Sequence, residues 1–259
     1  MPSIDIEFPN EYGGMISSIL EYPEDNKVNA FALIAHGFTL SKNINAVKHL
    51  SQTMTQKGIA VMRFDFTGLG ESTGDFSNTN FCTNIQDITT VAKFLSDNYR
   101  APQILIGHSL GGAAMLSAAG QIPSSLAVST IGAPSNPEHV TKHFKNHIPK
   151  ILSEGQAEVK LGGKRLVIRK EFIEAFEEVN LKNKIKNLNK ALLVFHSPQD
   201  SIVHIDNAAS IYKAANHPKS FISLDGADHL LGKSKDSKYC GEVIASWASR
   251  YINPEPLTI

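Results

Sequence analysis

The pentapeptide Gly107-His108-Ser109-Leu110-Gly111 sets a hydroxyl where acyl-transfer chemistry needs one. The apolar run 103–106 leads into it and the small-residue stretch 112–116 follows. The pattern predicts a strand, a sharp turn and a helix, with serine at the apex. Glycines two residues to either side of Ser109 permit the bend and clear space around the nucleophile. The first N–H groups of the helix, that of Leu110 foremost, then point at the reacting centre. A serine hydroxyl attacks a carbonyl only when a base takes its proton, so the rest of the chain must supply one. For this turn type the chain order is serine, acid, histidine. Residues 191–196 read as a buried strand and 197–200 turn away from its end, which puts Asp200 just beyond a strand's C-terminal edge. Residues 220–224 read as the next strand, and 225–229 as the loop after it. His229 is the expected base, and Asp200 the acid that fixes its tautomer and stabilises the imidazolium.

Other polar residues nearby have plainer roles. Asp225 and Asp228 read as turn formers, since Asp bonds its own backbone in such loops. Asp206 is expected to cap a helix over 207–215. His196 and His204 flank the acid loop and are expected to support it. His108 is the variable residue of the serine turn, a packing and hydrogen-bonding residue that also stands as a candidate lining of the substrate pocket. His139, His143 and His147 recur every four residues, which would set them along one helix face. No carboxylate or cysteine cluster accompanies them, so neither a metal nor a cofactor is expected. The strand 59–64 runs into the glycine-bearing loop 65–72. No Lys-Ser/Thr follows, which rejects a phosphate-binding loop and leaves structural support.

Four stretches, 63–72, 106–114, 130–134 (Thr-Ile-Gly-Ala-Pro) and 224–231, carry a family likeness that extends over nearly the whole chain. The chain resembles the α/β-hydrolase superfamily, in the serine aminopeptidase-like and lysophospholipase-like group. It is similar to the hydrolase half of bacterial proteins in which this domain is fused to an OsmC-like domain. The resemblance implies an α/β fold, with a mostly parallel central sheet, helices on both faces and a cap insertion. It also makes His36-Gly37, after the apolar strand 30–35, look like an oxyanion turn. The donor then lies one residue on, so the N–H of Phe38 joins that of Leu110. The departure is that no OsmC-like sequence follows; residues 253–259 read as the start of a linker or a short tail.

With 259 residues the chain fits one domain with a sizeable core. The formal net charge is zero and the basic residues are scattered, which gives no electrostatic case for nucleic acid or anionic membranes. Lys182-Asn183-Lys184-Ile185-Lys186, the densest basic stretch, reads as a solvated helix or loop. No segment approaches the roughly eighteen consecutive apolar residues of a membrane span, and the N-terminus lacks a secretory pattern. Two cysteines, Cys82 and Cys240, make no disulfide framework and suit a reducing cytoplasm.

Alternating runs at 3–8 and 15–22 predict an N-terminal hairpin. Strands then alternate with helices at 45–56, 84–99 and 111–120, and 128–132 adds a strand. The core is thus expected over 1–133 and 189–252. Residues 134–188 are too long for a connection and read as a cap: a helix at 138–146, a hairpin of 156–160 and 164–168, and a helix at 170–178. Its aromatics Phe144, Phe172 and Phe176 are the candidate pocket lining. Phe172 and Phe176, four apart, equally fit a helix's buried stripe. The leading expectation is a serine hydrolase cleaving carboxylic esters of small or medium acyl chains, as a monomer or homodimer. Peptidase or amidase, thioesterase, and a non-catalytic binding module on the same scaffold are the alternatives.

Overall fold

Alternate residues of the strand Ala30–Ala35 feed two different cores. Ala30, Ala32 and Ile34 pack to one side of the sheet, while Phe31, Leu33 and Ala35 pack to the other. That period of two, with all six residues buried, is what a central strand covered on both faces requires. The computed structural model describes residues 1–252 and the backbone of 257–258. In chain order the strands are β1 (Ser3–Pro9), β2 (Met15–Glu21), β3 (Lys27–Val28), β4 (Ala30–Ala35), β5 (Ile59–Phe64), β6 (Ile104–His108), β7 (Ala127–Ile131), β8 (Gln156–Leu161), β9 (Lys164–Arg169), β10 (Ala191–His196), β11 (Lys219–Ser223) and β12 (Leu257–Thr258). Eight of them form one sheet in the order β1-β2-β5-β4-β6-β7-β10-β11. Only β2 runs against its neighbours; from β5 to β11 every pairing is parallel.

Helices α1 (Asn45–Thr55) and α8 (Ser234–Ala248) cover one face, through Val47, Leu50, Met54 and Ile244. The opposite face carries α2 (Phe81–Asn98), α3 (Leu110–Ala118) and α7 (Asp206–Ala214). All nine residues of α3 are buried, as its small-residue composition and its contacts with the insertion 134–188 together allow. Asn80 opens α2: its side chain accepts from the N–H groups of Cys82 and Thr83, which starts the helix at Phe81 rather than at the expected 84. Asp206 is the first residue of α7 and not its cap; it pairs with His204 instead, at 2.9 Å.

The insertion 134–188 differs locally from expectation. Residues Pro137–His147 form a 3-10 stretch broken at Phe144 (φ −135°, ψ 26°), not an α-helix over 138–146. Broken there, it does not set His139, His143 and His147 along one α-helical face. Next come α4 (Ile148–Glu154) and the hairpin β8–β9, whose Gly162-Gly163 turn has φ of +55° and +80°, the left-handed pair that glycine adopts freely. Helix α5 spans only Lys170–Glu174, so Phe176 lies in the turn beyond it, and α6 spans Leu181–Lys186. Of the stretch 253–259, Leu257 and Thr258 pair with Val28 and Lys27; residues 253–256 and 259 lie outside the described residues. Among the described residues no helix is long and apolar enough to cross a membrane.

Candidate active site

The chain passes from β4 to β5 on one side of β4, then returns to place β6 on the other. The β4/β6 boundary is therefore the point where strand order reverses, and open α/β sheets form their crevice beyond the carboxyl ends of the strands at such a point. Ala35 pairs with Gly107, so the residues that follow the two strands emerge side by side. Their closeness is tight enough to demand glycine. A Cβ on Gly37 would stand 2.9 Å from Cβ of Ser109, and one on Gly111 would stand 2.3 Å from the carbonyl oxygen of His36.

Ser109 itself has φ 54° and ψ −128°, outside the regions that L-residues favour, and its N–H donates to Ile131 O at 2.9 Å. Such strain, about 1–3 kcal/mol, persists where surrounding structure over-determines it. His229 Nε2 lies 2.9 Å from Ser109 Oγ, and His229 Nδ1 lies 2.7 Å from Asp200 Oδ2. With Nδ1–H donating to the carboxylate, Nε2 is left to accept the serine proton. Asp200 Oδ1 accepts from the N–H groups of Ile202 and Val203, each at 2.9 Å. Burial pushes the Asp200 carboxyl upward, but the bonds from His229, Val203 and Ile202 outweigh it and hold the group below its usual pKa.

Asp225 and Asp228 turn to their own loop. Asp228 Oδ1 accepts from Leu230 N at 2.9 Å and Gly232 N at 3.1 Å; Asp225 accepts from Ser223 Oγ at 2.9 Å. Two residues that carry no sequence signal stitch the loops of Asp200 and His229 together. Ser197 Oγ donates to Ala227 O at 2.7 Å, and Gln199 Oε1 accepts from Gly226 N at 2.8 Å. His196 closes the loop that carries Asp200 by donating from Nε2 to Val203 O at 2.7 Å. His108 is buried, and its Nε2 donates to the carbonyl of His229 at 2.7 Å. Burial drives its pKa down to about 4, so the ring is neutral. His139 and His143 of the insertion 134–188 stand within electrostatic reach of His229, and burial foremost lowers the pKa of both. Among the described residues no group of three or more His, Cys, Asp or Glu side chains could hold a metal ion.

The turn 36–40 lies against Ser109, with Thr39 at φ +60° and Leu40 N donating to Gly37 O at 3.2 Å. Neither Phe38 N–H nor Leu110 N–H donates to a protein acceptor among the described residues. His36 holds the turn by donating from Nδ1 to Gly37 O at 2.8 Å and accepting from Phe66 N at 3.4 Å. Beneath lies an ion pair unmarked by local sequence: Lys42 Nζ meets Asp65 Oδ2 at 2.7 Å, both buried, and also contacts Glu71. Asp65 further accepts from Lys42 N and Glu71 N, at 2.6 and 2.9 Å, so loop 65–72 is wound around one carboxylate. Beside Phe38 and Leu110 is an apolar cavity of about 10 Å³, walled by Phe66, Leu69, Phe76 and Phe172. Phe172 packs on Phe38 at 5.6 Å between ring centres, with Phe176 (5.3 Å) and Phe144 (6.1 Å) standing behind it. Of the four expected pocket residues, Phe172 lines this cavity; Phe144, Phe176 and His108 do not.

The family model described as serine aminopeptidase, S33, matches residues 26–181. The esterase domain of a Rhodothermus marinus protein is 45% identical, with a TM-score of 0.79, over 97% of this chain and 99% of that one. An acyl transferase of Shewanella woodyi is 24% identical over 242 residues, 90% of this chain and 79% of the relative. A mitochondrial palmitoyl-protein thioesterase of rat, ABHD10, is 28% identical over 144 residues, 56% of this chain and 46% of the relative. On the family match and the similarity that spans both chains, this protein belongs to the serine aminopeptidase (S33) family of α/β hydrolases.

Proposed function

We propose that the chain is a serine esterase that cleaves short-chain carboxylic esters through an acyl-enzyme. One observation carries this reading: the relay Asp200–His229–Ser109, at 2.7 and 2.9 Å, together with two nearby backbone N–H groups, those of Phe38 and Leu110, that have no protein acceptor among the described residues. Ser109 Oγ attacks the ester carbonyl as His229 Nε2 takes its proton. The oxyanion forms against the N–H groups of Phe38 and Leu110, which are fixed in advance and need no reorganisation. His229 then gives the proton to the departing alkoxide, leaving Ser109 acylated. Water repeats the sequence, His229 acting again as base, and releases the carboxylic acid. His108, through its bond to the His229 carbonyl, positions the base without touching substrate.

The acyl preference rests on the apolar cavity. About 10 Å³ is the space of one water molecule, which suits an acetyl methyl and little more while Phe172 stays in place. The esterase domain from Rhodothermus marinus favours the ester reading, being similar over the full length of both chains. A thioester is the second reading, favoured by the palmitoyl-protein thioesterase likeness, but a sixteen-carbon chain finds no room in this cavity. Amide cleavage at a free N-terminus would call for an acidic partner to the amine, and no acid lines the cavity. Parallel assays on p-nitrophenyl acetate, an acetyl thioester and alanyl p-nitroanilide test the assignment. The highest kcat/KM should fall to the oxygen ester; anilide turnover above it would replace the reading with peptidase.

A further inference from the structure

Between α6 of the cap and α7 of the core lies a groove of about 610 Å³ that the ester chemistry does not use. Lys182 and Lys186 reach it from α6 and Lys213 from α7, while Ile185 and Ala214 supply apolar lining. No ion pair or hydrogen bond engages any of these three ammonium groups among the described residues, and no acid lines the groove. What distinguishes these three is that they share one groove; other lysines are paired one by one or stand apart on the surface. Lys42, Lys93, Lys150 and Lys170 pair with carboxylates, and Lys190 and Lys219 donate to backbone carbonyls. The chain as a whole is neutral, so the groove is a local concentration of positive charge and not part of a general basic surface.

We propose that this groove binds a phosphorylated small molecule, its phosphate oxygens held by the three lysines and its organic part against Ile185 and Ala214. Three ammonium groups lining one cleft with no carboxylate among them give it a positive potential that an anion would neutralise. Phosphate suits separate point donors better than a single carboxylate does, because it spreads more than one charge over several oxygens and each ammonium offers three N–H bonds. The apolar lining favours an organic phosphate over the bare ion. A ligand in the groove touches both cap and core, so binding should also raise the melting temperature. The site is separate from Ser109 and does not depend on which bond the enzyme cleaves.

Calorimetric titration at low ionic strength tests this with three probes, ADP, inorganic pyrophosphate and adenosine, on the whole chain. ADP should bind and raise Tm, adenosine should not, and added salt should weaken the complex. The exposed double variant Lys182→Gln/Lys213→Gln should lose about tenfold or more in ADP affinity, with hydrolysis of a neutral acetyl ester unchanged. Absence of ADP binding at millimolar concentration would overturn the proposal, as would equal affinity in the double variant. Pyrophosphate binding as tightly as ADP would remove the role given to Ile185 and Ala214. Loss of ester turnover in the wild type would instead strike at the esterase reading and leave the groove untouched.

Discussion

Replacing Phe172 should change which acyl chain the enzyme prefers. Its ring closes the apolar cavity beside Phe38 and Leu110 to about 10 Å³, so the wild type should lose kcat/KM steadily from acetyl to hexanoyl p-nitrophenyl esters. Phe172→Ala removes the ring and opens room for about four methylenes, each worth about 0.8 kcal/mol when buried. The summed gain of about 3 kcal/mol corresponds to a hexanoyl/acetyl preference raised about 200-fold. The substitution also takes a buried ring from a cluster of five phenylalanines, at a stability cost of about 3–5 kcal/mol. Phe172→Leu serves as the milder companion, with a smaller shift in the same direction. Initial rates across the ester series, with urea midpoints to establish folding, give the comparison. Two well-folded variants with the wild-type chain-length profile would refute the assignment of this cavity to the acyl group.

Asp200→Asn should lower kcat/KM by up to about 10⁴-fold through loss of tautomer control, whereas Asp228→Asn should be mild; equal damage from both would undo the choice of acid. Lys42→Met strands the buried Asp65 carboxylate and should cost about 3–5 kcal/mol in urea unfolding, with kcat falling as the oxyanion turn loosens. Asp87, buried and accepting from Thr67 N and Oγ1, is raised by burial from 3.8 to about 6, against the pull of those bonds. Because the folded value lies above the unfolded one, its favourable contribution is complete below about pH 4 and is lost as the pH rises through about 6. The difference amounts to about 3 kcal/mol. Asp87→Asn should flatten stability across that window; an unchanged slope would show that Asp87 does not carry it.

The parts of this site that follow local rules were legible in the sequence. Ser109 sits in a turn that demands small neighbours, and Asp200 and His229 each follow an apolar strand, so chain pattern alone placed them. The parts assembled by tertiary contact were not. Lys42 looks like any surface lysine until the fold buries it against Asp65, 23 residues away. Ser197 and Gln199 bridge to the base loop across roughly thirty residues, and no spacing rule marks such a pair. Within 134–188 the sequence predicts a helix over 138–146, but the chain forms a 3-10 stretch that breaks at Phe144, whose side chain is buried, and local pattern does not mark such a break. The lysines of α6 read as a solvated face, since their convergence with Lys213 depends on how α6 lies against α7.

The most direct measurement of the central claim is covalent capture of the nucleophile. The protein, incubated with a fluorophosphonate and mapped by peptide mass spectrometry, should take up one equivalent on Ser109, with ester turnover lost in step. Ser109→Ala should neither label nor turn over, and His229→Ala should label far more slowly. Labelling at another residue, or ester turnover that survives full modification of Ser109, would contradict the account.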